Sequence, residues 1–235
     1  MSNKRSAIKN ARQRRKARQR IVNYIIIALV ILGVAALIWI IIVAQPSKTN
    51  TAQAEANAVE ALPTVAMMQF DAPPPMQIDV NKQYFATVKM AKGGEFVIQL
   101  YPDKAPLTVN SFVFLANKSF FNGTTFHRVL EGFMAQGGDP TGLGTGGPGY
   151  QFENEVNDLL FDKAGVVAMA NAGPDTNGSQ FFIMFGPYGL SERDYTIFGQ
   201  VISGMDVVNG LTRRDPQQNP NFVGDAIESI TISEK

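Results

Sequence analysis

The chain has 235 residues, 45% of them hydrophobic and 17% charged, enough for one domain of ordinary size with segments to spare. Its formal net charge of +1 conceals a segregation: residues 1–20 carry nine basic side chains and no acidic one, and the remainder carries 12 basic and 20 acidic. With no cysteine and a single histidine, disulfides, thiol catalysis and zinc–thiolate sites are excluded.

In chain order, the basic tail comes first and runs into "IIIALVILGVAALIWIIIVA" (Ile25–Ala44), 20 residues without a charge or a proline. At about 1.5 Å per residue such a helix spans roughly 30 Å, the thickness of a bilayer core. A cleaved signal peptide is the competing reading, but its apolar region runs to only about 7–15 residues; "AQA" at Ala52–Ala54 keeps cleavage open. The tail reads as a topology signal, because Lys and Arg resist transfer across the bilayer. A nucleic-acid arm and a merely solvated charge run are the weaker readings. The expectation is a basic cytoplasmic tail at 1–20, a transmembrane helix at 21–44 and a single-pass protein of the cell membrane whose residues beyond 44 lie outside the cytoplasm, with no nucleic-acid partner. Residues 45–80, rich in Ala, Thr, Gln and Pro and including "DAPPPM" (Asp71–Met76), read as a tether extended at the proline run. Within it "VEALPTVAMM" (Val59–Met68) leaves a short helix or docking onto the domain open.

From 81 to 235 the pattern becomes that of a folded domain. "YFATVKMA" and "EFVIQLY", separated by "KGG", read as a β-hairpin. "APLTVNSFVFLANKSF" then places Val109, Phe112, Val113 and Ala116 on one helical face, with Pro106 and Thr108 in the first turn. Six more strand-like runs follow: "TFHRV", "FMAQGG", "GVVAMA", "SQFFIMF", "YTIFGQVI" and "AIESITISE". A second helical stretch, "GMDVVNGLTRR", precedes the last of them. Many short strands, glycine-rich turns and two helices predict a mainly β fold, a closed antiparallel barrel with helices over its openings.

The stretch from Thr125 to Glu155 holds His127, the only histidine, beside Arg128 and ahead of the glycine-rich run "GGDPTGLGTGGPG". One imidazole without a G-x-S-x-G elbow does not make a serine hydrolase, and it is too few for a catalytic metal. The glycine run lacks the G-K-[ST] ending of a phosphate loop, and no helix opens after it. It reads instead as a tight irregular loop needing positive φ. Strand alternation puts Phe126 and Arg128 on one face and His127 and Val129 on the other. With Phe133, Met134 and Gln136 nearby, and Asn171, Gln180 and Phe182 further on, one guanidinium, several amides and apolar side chains suit a neutral, partly apolar substrate. They do not suit bond-breaking by acid and base.

Three runs, "FHRVLEGFMAQGGD", "GTGGPGYQFENE" and "MANAGPDTNGSQFFI", occur in an order that resembles the signature runs of the cyclophilins, the cyclosporin-binding peptidyl-prolyl isomerases. The similarity covers about Tyr84 to Lys235. The resemblance implies a closed eight-stranded antiparallel β-barrel capped by two α-helices, and cis–trans isomerisation of the peptide bond before proline, with no cofactor and no metal. It implies Arg128 as the catalytic residue. Phe133, Met134, Phe182 and Leu190 are implied in the proline-ring pocket, Gln136 and the backbone of Asn171 along the substrate main chain, Gln180 in positioning Arg128 or the substrate, His127 at the edge of the site, and Ala170 and Tyr195 among the substrate-binding residues. Two positions depart from the best-known members: Leu190 stands where they carry tryptophan and Tyr195 where they carry histidine, in a segment whose alignment can shift by one residue. Loss of the indole donor argues against tight cyclosporin binding. The partners expected are proline-containing polypeptides, handled by a monomer that helps exported or surface proteins fold. The alternative is a non-catalytic proline-peptide binding module.

Overall fold

The computed structural model describes residues 68–218 and 220–235. The basic tail, the apolar span and most of the tether lie outside the described residues. Among the described residues no helix is long and apolar enough to cross a membrane.

Nine strands form one antiparallel sheet: β1 (Tyr84–Met90), β2 (Glu95–Leu100), β3 (Thr125–Phe126), β4 (Arg128–Leu130), β5 (Met134–Gly137), β6 (Val166–Met169), β7 (Phe181–Met184), β8 (Ile197–Ser203) and β9 (Asp225–Glu234). Their order is β3-β9-β1-β2-β8-β6-β7-β5-β4. The two edges of that order, β3 and β4, are consecutive in the chain and separated only by His127. The run from Thr125 to Leu130 therefore pairs with β9 at one end and with β5 at the other, which nearly closes the sheet into a barrel. Counted as one strand, it restores the eight strands expected from the sequence.

The break at His127 corrects one expectation. Phe126 and Val129 are both fully buried in the barrel core, whereas Arg128 lies on the outer face. Strict alternation would have put Phe126 with Arg128. The ladder is interrupted at His127, whose carbonyl accepts a hydrogen bond from the Arg214 guanidinium while Val129 exchanges backbone hydrogen bonds with Arg214 (2.7 and 2.9 Å). One unpaired residue reverses the face of everything after it, because the side-chain period of a strand is two.

The core is the inside of the barrel, where Val88, Phe96, Ile98, Ala135, Val167, Phe181, Ile183 and Phe198 converge. Helix α1 (Pro106–Asn117) sets Phe112 against Phe121, Phe181 and Phe198, with ring centroids 5.0–5.6 Å apart. The four expected apolar positions of α1 are all buried. Its N-terminus has no side-chain cap of its own. The carboxylate of Glu155 supplies one from a distant loop, accepting from the N–H groups of Leu107 and Thr108 at 2.8 Å each and from the Thr108 hydroxyl at 2.7 Å. A remote anion there satisfies orphan donors and opposes the helix dipole. Helix α2 (Met205–Asn209) is shorter than the apolar pattern suggested. Arg214 leaves the helical path to pair with Val129 on β4, which offers backbone partners that a further helical turn would not.

Residues 68–80 do not hang free as a tether. They pack on the domain as a strap: Phe70 N–H donates to Pro148 O (2.8 Å), the Phe70 ring meets Phe114 edge-on at 5.0 Å, Gln77 N–H donates to Asn110 Oδ1 (2.8 Å), and Asn110 Nδ2 donates to Pro74 O and Pro75 O (3.2 and 3.1 Å). The folded unit therefore begins upstream of 81. The proline run lies against α1, held by Asn110.

Candidate active site

β6 and β7 are buried on both faces. Alternate residues point into the barrel, and the others, Val166, Ala168, Phe182 and Met184, point outward into a second apolar cluster with Met134, Phe161 and Ile197. Leu130, Phe133, Leu159, Ala170, Leu190 and Tyr195 pack around it half-buried. A strand that is apolar on both faces needs a cover on each. Here the outer cover is a set of half-buried side chains, Phe133, Leu159, Leu190 and Tyr195 among them, which frame an apolar slot in place of a helix.

Register assembles the polar side of that slot. Arg128 lies opposite Gln136 across β4 and β5, and Gln136 lies opposite Phe182 across β5 and β7. The Arg128 guanidinium carbon sits 5.7 Å from the Phe133 ring centre, within cation–π range. Its Nη1 is 3.4 Å from Gln136 Oε1 and 3.9 Å from Met134 Sδ. Gln136 Nε2 donates to Gln180 Oε1 (2.9 Å), and Gln180 Nε2 donates to Gly146 O (2.9 Å). The result is a chain of amides running from the glycine-rich loop to the guanidinium. Among the described residues, no carboxylate lies within ion-pair distance of Arg128.

The apolar side is aromatic. Phe182 stacks over Phe161 at 5.9 Å, and Tyr195 meets Phe182 edge-on at 5.5 Å. Tyr188, which the sequence did not single out, stacks on Phe133 at 4.3 Å while remaining 49% exposed. Phe161 was also missed. A lone aromatic in a loop carries no periodic signal, and only the fold brings these two rings to the slot.

Beyond the amide chain the slot opens into a cavity of about 830 Å³, lined by Gln136 and Gln180, by the 144–151 loop and by Ala170, Asn171 and Thr176. Asn171 has its side chain engaged elsewhere: Nδ2 donates to Asp194 O (2.7 Å) and Oδ1 accepts from Gly173 N–H (3.2 Å). Ala170 N–H donates to Gln180 O (2.9 Å).

The glycine-rich loop is organised by a carboxylate of its own. Asp139 is fully buried and accepts from Thr141 N–H (2.7 Å), the Thr141 hydroxyl (2.8 Å), Gly144 N–H (2.6 Å) and Gly146 N–H (3.2 Å). Burial pushes its pKa up, but these donors outweigh it and hold the carboxyl below its ordinary value. Gly144 has φ +86°, and a Cβ at Gly146 would collide with Asp139 Oδ1. The positive-φ reading of the loop thus holds. Its N–H groups face an internal anion rather than a phosphate. Sequence reasoning missed Asp139, whose only signal was a carboxylate among glycines.

His127 is not brought to the slot. It is 2% exposed, both ring nitrogens lack a hydrogen-bond partner, and Gly144 of the loop lies over the ring. Burial is the main cause holding its pKa below the ordinary histidine value. Its expected place at the edge of the substrate site is therefore corrected: the interruption of the ladder turns it inward. The structure brings together Arg128, Phe133, Met134, Gln136, Ala170, Gln180, Phe182, Leu190 and Tyr195, with Asn171 at the cavity. Among the described residues no set of three His, Asp or Glu side chains gathers as metal ligands.

Comparison with known proteins agrees with the fold. The sequence model described as "Cyclophilin type peptidyl-prolyl cis-trans isomerase/CLD" matches residues 85–232. The mouse (Mus musculus) peptidyl-prolyl cis-trans isomerase-like 1 is 49% identical over 133 residues, 54% of this chain and 80% of that protein. Peptidyl-prolyl cis-trans isomerase A of Mycobacterium tuberculosis is 45% identical over 159 residues, 60% of this chain and 87% of that one. A crystal structure of a Cryptosporidium parvum cyclophilin-type isomerase superposes with a TM-score of 0.60 at 30% identity, covering 65% of this chain and 99% of its own. A second structure of that protein was determined in the presence of the dipeptide Ala-Pro, with a TM-score of 0.59 at 32% identity, covering 64% of this chain and 99% of its own.

Proposed function

This chain belongs to the cyclophilin-type peptidyl-prolyl cis-trans isomerases and is an enzyme of that class, and from that premise we propose that Arg128 in the outer-face slot drives rotation about X-Pro bonds in polypeptides met outside the cytoplasm.

Uncatalysed, the rotation faces about 18–20 kcal/mol, because the C–N bond has partial double-bond character. No covalent bond is made or broken. Catalysis requires only that the twisted imide be bound better than the planar one. When the bond twists, conjugation is lost and the proline nitrogen regains a lone pair, which accepts a hydrogen bond. Arg128 donates to that nitrogen. The observation that carries this reading is a guanidinium without an ionic partner, held over Phe133 and tied to Gln136 at the rim of an apolar slot. The proline ring enters between Phe133, Met134 and Phe182, with Leu190 and Tyr195 closing the far side. Gln136 and the main chain of Ala170 and Asn171 hold the flanking peptide, so that only one side of the bond turns. Each tenfold in rate corresponds to about 1.4 kcal/mol, and one well-aimed donor in a water-poor site supplies a few kcal/mol. The Ala-Pro dipeptide used with the Cryptosporidium relative is of the same chemical type as this substrate.

The test is protease-coupled isomerisation of a short X-Pro peptide. Arg128→Ala should lower kcat about 10- to 1000-fold, with KM little changed. Undiminished turnover removes Arg128 from the mechanism.

The enzyme acts as a monomer on exported or surface proteins, held at the cell membrane by Ile25–Ala44 with the basic tail in the cytoplasm. The 20 uncharged residues and the nine preceding basic ones support this topology. Protease added to the outer face of intact cells should digest the isomerase domain. Protection of the domain there would reverse the orientation.

A further inference from the structure

The strap precedes the residues that define the family match, which begin at 85, yet it reaches the substrate cavity. Gln69 lines that cavity together with Gln136 and Gln180. Its Nε2 donates to Gly147 O (2.9 Å) and to Met68 O (3.1 Å). Phe70 fixes the position of Gln69: its N–H bonds Pro148 O and its ring packs on Phe114 and Tyr150. Gly149 meets the Phe70 main chain so closely that a Cβ there would approach Phe70 O to 2.7 Å. The strap and the 146–150 loop are therefore built against each other, and that loop also supplies the carbonyl on which Gln180 rests.

We propose that Gln69 is a specificity-determining residue, a wall of the cavity that receives a side chain of the substrate flanking the X-Pro bond. The proposal rests on the isomerase site described above. No Asp, Glu, Lys, Arg or His lines the cavity; its polar groups are amides, hydroxyls and loop backbone. A charged flanking side chain entering it gives up hydration without meeting an opposite charge. The favoured flanking residue is accordingly uncharged, and Gln69, whose Oε1 remains an acceptor, suits one that donates a hydrogen bond, such as Ser, Asn or Gln. Because Gln69 lies in the strap, upstream of the family match, residues 68–70 are also a part of the active site.

The test uses the full chain and introduces charges of opposite sign at this one exposed position. Gln69→Glu and Gln69→Lys are assayed on three X-Pro peptides that differ only in one flanking residue, Lys, Gln or Asp. The unsubstituted enzyme should prefer the Gln peptide. Gln69→Glu should raise the kcat/KM ratio of the Lys to the Asp peptide roughly three- to tenfold, and Gln69→Lys should lower it by a similar factor; raised salt should shrink both shifts. An unchanged Lys-to-Asp ratio in both variants overturns the assignment, as does a shift of the same sign in both. Arg128→Ala, run alongside, tests the catalytic reading separately: it should lower turnover on all three peptides equally, whatever Gln69 does.

Discussion

Replacing Gln180 with leucine cuts the amide chain in the middle. Gln136 Nε2 loses its acceptor and Gly146 O loses its donor, two half-buried hydrogen bonds of 2.9 Å each. At about 0.5–1.5 kcal/mol net for each neutral bond, the fold should lose about 1–3 kcal/mol. For a domain of this size each kcal/mol shifts Tm by about 2–4 °C, a change readily seen by thermal unfolding. The effect on rate has a different origin. Gln136 presents Oε1 to Arg128 because Gln180 holds the other end of its carboxamide. Without Gln180 the amide turns over freely and half its orientations aim N–H at N–H. If the guanidinium then occupies its productive position about a tenth of the time, kcat falls about tenfold, equivalent to about 1.4 kcal/mol. The assay is protease-coupled isomerisation of one X-Pro peptide by the unsubstituted enzyme, Gln180→Leu, Arg128→Ala and the double variant. Since Gln180 acts through Arg128, Gln180→Leu should cost less than twofold once Arg128 is gone. Gln180→Glu keeps an acceptor for Gln136 and should recover part of the loss. The reasoning is refuted if Gln180→Leu lowers kcat by the same factor in both backgrounds, or if Tm falls while kcat stays put.

Two further outcomes concern the scaffold. Glu155→Ala removes the only side-chain acceptor found among the described residues for the first N–H groups of α1 and should cost about 1–2 kcal/mol, seen as a lower Tm, with Glu155→Gln intermediate; an unchanged Tm would show that water replaces the carboxylate without loss. His127 makes stability depend on pH. Its folded pKa is depressed by burial, so the unfolded chain takes up a proton first. Its contribution is fully present above the unfolded value of about 6.5 and declines as pH falls from there through the folded value. Because His127 is the only histidine, denaturant titrations between about pH 5 and 7 should show this slope, and His127→Leu should flatten it. An unaltered slope in that variant would assign it to another group. Asp139 adds a separate loss in stronger acid, since its folded pKa lies below its ordinary value and its bonds to the loop fail as it protonates.

Most of the barrel was legible because its signals are local. The eight strand-like runs, the KGG turn and the apolar face of α1 each depend on neighbours within a few residues. The site residues on strands were reached through the resemblance instead: Arg128, Gln136 and Phe182 lie in runs that resemble the cyclophilins, and only the register of the sheet puts them on adjacent strands. The second helix was read too long: it ends at Asn209 with Gly210 as its C-cap, and Arg214 beyond it pairs with Val129, more than 80 residues earlier in the chain.

By itself, then, the sequence determined the strands, a guanidinium with apolar company, the absence of thiol chemistry and a 20-residue apolar span behind a basic tail. The tertiary structure alone decided that His127 turns inward, that Asp139 rather than a ligand fills the glycine loop, that Tyr188 and Phe161 complete the slot, and that residues 68–80 lie on the domain. The reason is periodicity. A strand's alternation assigns faces only until one residue drops out of the ladder, and which residue drops out depends on a partner, here Arg214, that only closure of the barrel brings alongside.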